Sequence, residues 1–440
     1  MKTDEQEDGR SVSGYRQYVR DLRTLIRSVV DDGLERHQDS VASALNGQAA
    51  TELRRLVSLD LRRDLGAFFT TSDLRRKALR PPPSKDYPVV YFDPACGAGD
   101  LLVEAALRLP VSDGFGATVH DWGERLLGCD VAAEFVETAR LRLLLAAAYR
   151  SGEAVARHVE RDPFPRIVVG DGLSHPGLAS RANHIVVNPP FGYVKAPDDL
   201  RWASGRVSAA AAFLVRLIDL APMGASITAI LPDVLRSGTR YAKWRRLVET
   251  KISISEVEIH GGFDGSTDVD VFLLRGTRSC DESGDTDWRS VRDKGAIVGD
   301  NFEVHVGPVV PHREPHTGPW HPYIWPKRLP ASGSFDPAGR SRRFAGRTFD
   351  PPFVAIRRTS RPEQAGRGSG VVVVGDRPVA VENHLIVALP KDRAASSCVE
   401  LVRVLDSEDS RDWLNQRIRT RHLTVVAISE LPWPGRASDG

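Results

Sequence analysis

Residues 89–100 have the sequence VVYFDPACGAGD. The first four residues form an apolar run that is typical of a buried parallel strand, which is covered on both faces. Gly97 and Gly99 follow, and glycine lets the backbone turn tightly and approach a ligand. A helical pattern continues over residues 101–109. A strand, a glycine loop and a helix in this order predict an α/β sheet with a ligand site beyond the strand.

More strands and helices alternate on either side of this stretch. Apolar runs predict strands at 126–130, 167–171, 184–188 and 226–231, and helical patterns lie at 132–150 and 209–221. This alternation predicts a parallel α/β sheet, and ligand sites of such sheets lie at the carboxyl ends of the strands. Residues 1–60 also have helical periodicity, and Pro81 to Ser84 predict a linker.

A carboxylate ends the second predicted strand. Asp130 lies 37 residues after Asp93, at a position where a carboxylate accepts hydrogen bonds from ribose hydroxyls in dinucleotide-binding folds. The alternative is an acid that only caps the following helix. A GxG loop alone is a weak signal, but the two features together favour a nucleoside cofactor. The third glycine of pyrophosphate-binding loops is absent, which argues against NAD.

A second motif, Asn188-Pro189-Pro190-Phe191, follows the strand at 184–188. Two adjacent prolines fix the backbone and supply no N–H. Their carbonyls and the Asn188 amide oxygen are therefore oriented acceptors that can hold an exocyclic amino group. Phe191 offers a face on which a planar base can stack. The alternative is a rigid turn with Phe191 in the core.

These two motifs resemble the cofactor and catalytic motifs of N6-adenine DNA methyltransferases. Residues 66–71, GAFFTT, resemble a family segment of the form GAFFTP that folds over the methionine end of S-adenosylmethionine. Thr71 replaces the usual proline, which predicts a less rigid loop. The order of the three segments is similar to that of the gamma class, found in many restriction systems. The resemblance covers about residues 60–280 and continues weakly at 352–361 and 381–384.

The resemblance implies a Rossmann-like S-adenosylmethionine-dependent methyltransferase sheet, with an N-terminal helical segment and a C-terminal mixed α+β target-recognition domain. Residues implied to surround the cofactor are Phe69, Thr70, Asp93, Ala95, Cys96, Gly97, Gly99, Asp130 and Asp171. Asp171 has the alternative of an ordinary turn residue, and packing is the expected role of Cys96. Asn188 and the Pro189 carbonyl are implied to hold the target amino group, with Pro190 in the same catalytic motif, and Phe191 is implied to stack on a base that has left the duplex.

The C-terminal part is richer in Gly, Pro, Ser and Arg. Residues 327–367 hold ten basic and three acidic side chains, a local net charge of +7. We predict that this region contacts phosphates and reads bases. The candidate DNA-binding residues are Lys243, Arg245, Arg340, Arg342, Arg357 and Arg358. A solvated helix face is the alternative for the first two, and a scattered solvated surface for the others.

Composition bounds the class of protein. The chain has 440 residues, of which 41% are hydrophobic and 27% charged, with a formal net charge of +2. These values exclude a disordered or collagen-like chain. We see no signal peptide or membrane-spanning run. The four cysteines, Cys280 among them, form no CxxC pair. We expect a cytoplasmic protein with no membrane contact, metal or disulfide.

We therefore expect a helical segment at 1–60, a catalytic domain at 61–278 and a target-recognition domain at 279–440. The predicted activity is methylation of adenine N6 in a specific double-stranded DNA sequence, in a restriction-modification or phage-defence system. Protein-glutamine or RNA-base N-methylation is the alternative, and a non-catalytic DNA-binding subunit is a third interpretation. A cognate restriction endonuclease or a separate specificity subunit stays open as a partner. Asp233 with residues 249–251 also fits a nuclease pattern, but we expect it to belong to the sheet.

Overall fold

The computed structural model describes residues 12–79, 88–156, 162–196, 202–263, 269–279, 286, 288 and 295–433. The chain divides into two compact units, Met1–Thr286 and Asp287–Gly440. The linker predicted at Pro81 to Ser84 lies outside the described residues, and so does Cys280. The finer division into three domains stays a prediction.

Nine strands lie in the described part of the first unit. They are β1 (Tyr91–Asp93), β2 (Leu126–Asp130), β3 (Ile167–Val169), β4 (His184–Val187), β5 (Tyr193–Lys195), β6 (Arg206–Ser208), β7 (Ser226–Pro232), β8 (Ile252–Gly262) and β9 (Asp270–Arg278). Seven of them form one sheet in the order β3-β2-β1-β4-β7-β9-β8, and β5 pairs with β6 alone. The predicted α/β fold is confirmed.

The sheet is mixed, because β8 and β9, which the apolar runs did not predict, add an antiparallel edge to the predicted parallel strands. The first five strands in the order are parallel. In contrast, β9 lies antiparallel between β7 and β8. The reason is the short connection after Gly262, because a few residues can join only antiparallel neighbours, whereas a parallel crossover needs a dozen or more.

Helices pack around this sheet. Those in the described part of the first unit are α1 (Arg16–Asp32), α2 (Gln38–Leu45), α3 (Gln48–Leu56), α4 (Leu59–Leu65), α5 (Ser72–Ala78), α6 (Asp100–Ala106), α7 (Gly114–Arg125), α8 (Ala133–Ser151), α9 (Pro176–Ala179), α10 (Ala209–Leu220), α11 (Asp233–Ser237) and α12 (Ala242–Glu249). The central helix is α8, which packs against α1, α2, α6 and α7. The N-terminal helices therefore share one hydrophobic core with the sheet.

Two buried arginines connect the N-terminal helices to the glycine loop. Arg142 of α8 is fully buried and donates to the carbonyls of Ala44 (2.9 Å) and Ala98 (2.6 Å). It also pairs with the carboxylate of Asp100 at 2.9 Å. Arg75 of α5 lies 3.5 Å from the same carboxylate. Because the last carbonyls of a helix have no partner within it, the arginines satisfy the end of α2 and tie it to the start of α6.

The second unit combines short strands with helices. Its strands are β10 (Phe302–Val306), β11 (Trp320–Ile324), β12 (Ser334–Phe335), β13 (Ser341–Arg343), β14 (Phe353–Arg357), β15 (Gly370–Val373), β16 (Ala380–Val381) and β17 (Leu385–Pro390). Its helices are α13 (Val298–Asn301), α14 (Ala395–Asp406), α15 (Glu408–Arg417) and α16 (Val425–Ser429). The mixed α+β architecture predicted for this part of the chain is confirmed.

The second unit has a five-stranded sheet in the order β10-β17-β14-β15-β12, and a smaller sheet in the order β13-β11-β16. Alternate residues of β14 enter two different cores. Val354 and Ile356 pack with the helices, whereas Phe353 and Ala355 pack on the other side with Ile324. This alternation is the period of two that a strand buried on both faces requires. Across the described ranges, no helix has an apolar stretch long enough to cross a bilayer.

Candidate functional site

A cleft with about 750 Å³ of empty space, part of which is open solvent, lies at the carboxyl ends of β1, β2, β3 and β4. The sheet continues from β1 to β2 on one side and from β1 to β4 on the other, and ligands of open α/β sheets bind where the strand order reverses. Predicted site residues that line the cleft are Phe69, Thr70, Asp93, Ala95, Cys96, Gly97, Asp130, Asp171, Asn188 and Pro190.

Three other predicted residues stand next to the cleft rather than in its lining. Gly99 precedes α6, and Pro189 and Phe191 flank Pro190. The backbone of both loop glycines is left-handed, with φ 51° at Gly97 and 81° at Gly99. A Cβ on Gly97 would lie 3.0 Å from the Phe69 ring, and one on Gly99 would lie 2.8 Å from Ala139. The loop thus needs glycine at both positions, for conformation and for space.

Asp93 places a buried carboxyl at the bottom of the cleft. The residue is 2% exposed, and its Oδ1 accepts a hydrogen bond from the Ala95 N–H at 3.1 Å. Burial, together with the smaller effect of the Asp130 charge, raises the pKa of this carboxyl to about 8. A carboxylate in such a place is stabilised by a cation. The ammonium and sulfonium groups of S-adenosylmethionine are cations of this kind, so the site fits that cofactor.

Asp130 both holds the loop and faces the cleft. Its Oδ2 accepts from the Gly97 N–H at 3.0 Å and its Oδ1 from the Ala132 N–H at 2.9 Å. Burial raises the pKa of this carboxyl to about 6. Each carboxylate oxygen has a second lone pair, so the carboxylate can also accept from ribose hydroxyls. The bond to the Ala132 N–H closes a turn before α8 and is not a helix cap, because the N-cap Ala132 has no side-chain cap hydrogen bond. The cofactor role of Asp130 stays a prediction.

Asp171 has a similar double position. Its Oδ1 accepts from the Leu173 N–H at 3.0 Å and its Oδ2 from the Ser174 hydroxyl at 3.3 Å. These bonds close a turn, as the alternative interpretation predicts, yet the exposed side chain also lines the cleft.

Cys96 is buried and its pKa is raised well above the usual value by burial. A neutral thiol of this kind packs and does not act as a nucleophile.

The Asn188 side chain is fixed by the GAFFTT segment. Its Nδ2 donates to the Phe68 carbonyl at 3.2 Å and contacts the Thr70 hydroxyl oxygen at 3.1 Å. Since a carbonyl only accepts, these bonds decide which end of the amide carries the nitrogen. The amide oxygen is buried and accepts no hydrogen bond from the described residues. The cleft therefore contains one oriented acceptor that is ready for an N–H donor.

Aromatic side chains that the sequence analysis did not single out complete the site. Phe135 and Phe213 line the cleft, and Phe135 lies edge-on to Phe69 with ring centroids 5.2 Å apart. Phe263 meets Phe191 in the same way at 5.4 Å. Phe135 lies five positions after Asp130, at the start of the following helix. Because Phe135 lies in the first turn of the helix that follows Asp130, its place in the sequence could have identified it as a cleft residue. Phe263 follows a strand, and its place in the sequence gives no such indication.

The nuclease alternative has no support in the structure. Asp233 is 1% exposed, and its carboxylate is bound by Arg236 at 2.7 Å and by the Ser237 hydroxyl at 2.8 Å. These contacts lie inside α11 and make the side chain part of the core. Within the described ranges, no group of three or more His, Cys, Asp or Glu side chains could hold a metal ion.

Two of the arginines predicted to contact DNA are buried. Arg245 is 5% exposed and donates to the carbonyls of Leu235 and Gly238, both at 2.9 Å. Arg342 is 6% exposed and donates to the Glu314 carbonyl at 2.7 Å. Their guanidinium groups stabilise loops of their own unit. We therefore remove both from the proposed DNA-contacting set, because a phosphate contact requires an accessible cation.

The other four candidates differ in how far they are engaged. Arg357 donates to two carbonyls near residue 330, and Arg358 donates to the Asn383 carbonyl. Both are partly buried. Lys243 and Arg340 are exposed, and the Arg340 guanidinium lies 5.9 Å from the Trp325 ring centre. The last two keep their predicted role as proposals.

The sheet order and the cleft at its reversal point are those of a Rossmann-like α/β fold. No family model matches the chain. No curated protein matches it either. Among solved structures, the Type IIL restriction-modification enzyme MmeI in complex with DNA is similar over 88% of this chain and 71% of that one. The sequence identity is 14% and the TM-score 0.58.

Two modification proteins are similar with lower scores. A modification subunit of a putative type I restriction enzyme from Vibrio vulnificus has 19% identity and a TM-score of 0.38. That match covers 52% of this chain and 49% of the subunit, so the chain spans about half of its length. The EcoKI M protein has 15% identity and a TM-score of 0.37, over 67% of this chain and 78% of that one.

Proposed function

We propose that the chain is an S-adenosylmethionine-dependent methyltransferase that methylates adenine N6 in a specific double-stranded DNA sequence, in a restriction-modification or phage-defence system. The observation that carries this proposal is the buried Asn188 amide oxygen, which accepts no hydrogen bond from any described residue and lies in a cleft suited to a cofactor. The fold similarity to MmeI, a DNA-bound restriction-modification enzyme, supports the choice of DNA.

A buried acceptor without a donor costs about 1–3 kcal/mol, and an incoming N–H group removes that cost. The two prolines after Asn188 contribute carbonyls and no N–H, so this strand end presents acceptors only. An exocyclic amino group has two hydrogens and matches two acceptors. A hydroxyl group has only one hydrogen, so it fits less well.

The proposed mechanism depends on how these acceptors orient the amino nitrogen. The lone pair of adenine N6 is delocalised into the ring, which makes the nitrogen a weak nucleophile. Hydrogen bonds from both N–H groups to Asn188 and the Pro189 carbonyl favour a more tetrahedral nitrogen, with its lone pair directed at the methyl group. When bound, the cofactor supplies a methyl group on a positively charged sulfur. A direct displacement would transfer that methyl group to the nitrogen, the sulfur would keep the electron pair of the broken bond, and the nitrogen would release one proton to water while Asn188 and the Pro189 carbonyl hold it in place.

Positioning is the main contribution of the protein in such a displacement. Asp93 would hold a cationic part of the cofactor, and Asp130 its ribose hydroxyls. The cleft also requires the adenine to leave the duplex, at a cost of a few kcal/mol. The second unit is the proposed target-recognition domain, and its exposed Arg340 is a proposed phosphate contact.

The test is methyl transfer from labelled S-adenosylmethionine to mixed genomic DNA, followed by digestion to nucleosides and chromatography. We expect label in N6-methyladenine with the wild-type protein and none with Asn188→Ala. Thr70→Val removes one anchor of the amide and should lower the rate less. Cofactor binding to each variant is measured as the control. Label in protein, RNA or cytosine, with none in adenine, would refute the proposal.

A further inference from the structure

A two-stranded arm follows the Asn188 motif directly. Strand β5 begins two residues after Phe191 and pairs antiparallel with β6, so that Tyr193 lies opposite Ser208. All three residues of β5 are exposed, and Tyr193 is 58% accessible to solvent. Residues 197–201, which connect the strands, lie outside the described part of the chain.

The base of the arm is fixed to the body of the first unit. The Arg240 guanidinium donates to the carbonyls of Ser204 (2.8 Å) and Arg206 (2.7 Å). The Tyr241 hydroxyl accepts from the Ser208 N–H at 3.1 Å. These contacts hold the backbone of β6 and leave the exposed face of the arm free of any role in the core.

That exposed face combines a ring with positive charge. Tyr193, Lys195 and Arg206 point to the same side, because alternate residues of a strand share a face. The Arg206 guanidinium lies 6.0 Å from the centre of the Tyr193 ring. Val194, on the opposite face, pairs with the buried Val207. An exposed ring can stack on a base, and cations next to it suit the phosphates of a nucleic acid.

We infer that this arm engages the DNA strand on either side of the extruded base, with Tyr193 stacked on a neighbouring base and Lys195 and Arg206 on the backbone. The inference rests on the proposed function. Tyr193 is five residues from Asn188, so the two lie no more than about 18 Å apart along a fully extended chain. A base held at Asn188 is covalently joined to its strand, and that strand must cross the rim of the cleft within reach of the arm.

The stacked ring stabilises the extruded state rather than the chemical step. Loss of one base–aromatic stack should shift the equilibrium between the paired and the extruded target base by about fivefold to a hundredfold. An unpaired or mismatched target leaves the duplex at a lower cost. When extrusion is already favourable, losing the stack changes the extruded fraction little. Tyr193 should therefore raise the methylation rate strongly on a matched duplex and only slightly on a duplex with a mismatch opposite the target adenine.

The experiment compares Tyr193→Ala with Tyr149→Ala in single-turnover methylation of a duplex that carries the modified genomic sequence. Tyr149 is another exposed tyrosine, 40% accessible, near the far end of α8 from Phe135. We expect Tyr193→Ala to be about ten times slower or more on the matched duplex, nearly normal on the mismatched one, and unchanged in cofactor affinity. Tyr149→Ala should match the wild type on both.

Two results would overturn the inference. One is a Tyr193→Ala rate equal to that of Tyr149→Ala on the matched duplex, and the other is the same loss on both duplexes. A wild-type protein that methylates no adenine in any DNA refutes the proposed function itself, and the inference with it. The wild-type activity in this assay therefore distinguishes failure of the proposed function from failure of the inference about the arm.

Discussion

Replacing Asp93 by asparagine should remove most of the pH dependence of cofactor binding between pH 6 and pH 7.5. The Asp93 carboxyl is 2% exposed, and burial raises its pKa to about 8. Most molecules of the ligand-free protein therefore carry a neutral Asp93 at pH 7. The proposed cofactor brings positive charge to this position, so binding requires the ionised form and releases a proton.

The size of the change in cofactor affinity follows from the fraction of Asp93 side chains that is ionised at each pH. With a pKa of about 8, about 1% of the Asp93 side chains are charged at pH 6 and about 10% at pH 7. The apparent dissociation constant is the intrinsic one divided by this fraction. Affinity should thus rise about tenfold from pH 6 to pH 7. The rise ends near pH 8, where the amino group of the cofactor, with a usual pKa of about 8, loses its own proton.

The same shift has an effect on stability with a definite sign. The folded-state pKa of Asp93 lies above its ordinary value of 3.8, so the folded protein holds a proton that the unfolded chain has released. This contribution to stability is complete below about pH 4 and is lost as the pH rises through about 8. The ligand-free wild type should therefore lose stability towards pH 8 relative to Asp93→Asn.

Isothermal titration calorimetry at pH 6.0, 6.5, 7.0 and 7.5 tests this, in two buffers of different ionisation enthalpy that count the protons released. Asp93→Asn should bind weakly, with a change of no more than about twofold over this range, because Asp130 has a pKa of about 6 and also gains charge there. Asp376→Asn, at a side chain that is 97% exposed, should keep the wild-type profile. A wild-type affinity that does not change over this range, or proton uptake on binding, would refute the reasoning.

Two further predictions concern the loop and the buried arginine. Gly99→Ala should destabilise the protein by about 1–3 kcal/mol and weaken cofactor binding, whereas Gly152→Ala has a similar φ of 71° but no atom within 4 Å and should cost less; thermal unfolding compares them. Arg142→Met leaves Asp100 without its nearest cation and should cost about 3–5 kcal/mol in denaturant unfolding. The exposed Arg216 provides the control, since Arg216→Met should be nearly neutral. Equal losses within either pair would contradict the explanation.

The cleft could be predicted because its residues stand where strands end. The strand predicted at 126–130 is β2 with the same bounds, and the carboxylate of Asp130 follows from its place at the strand end. Parallel strands bring such ends to one edge of a sheet. No knowledge of distant contacts is needed for this part. The antiparallel edge at β9 depends on how a short connection folds back, which local patterns do not specify.

Contacts between distant residues explain what the sequence did not reveal. Asn188 and Thr70 are 118 positions apart, and no spacing indicates that one orients the amide of the other. The exposure of the basic side chains could not be predicted for a related reason. Arg245 and Lys243 look alike as charges in a helical pattern, but only the structure shows that the first is enclosed by carbonyls while the second is exposed. Charge in a sequence indicates a cation and does not indicate its accessibility.

The bond between Arg142 and the Ala44 carbonyl also affects the order of events during synthesis. The two residues are 98 positions apart, so the end of α2 leaves the ribosome well before its partner exists. At about 5–20 residues per second this interval lasts roughly 5–20 s. Short isolated helices are marginal in water, so α1 and α2 stay largely unfolded until α8 has been synthesised. The nascent chain therefore exposes the apolar side chains of α1 and α2 until α8 is complete, and this is the period in which a chaperone would bind it.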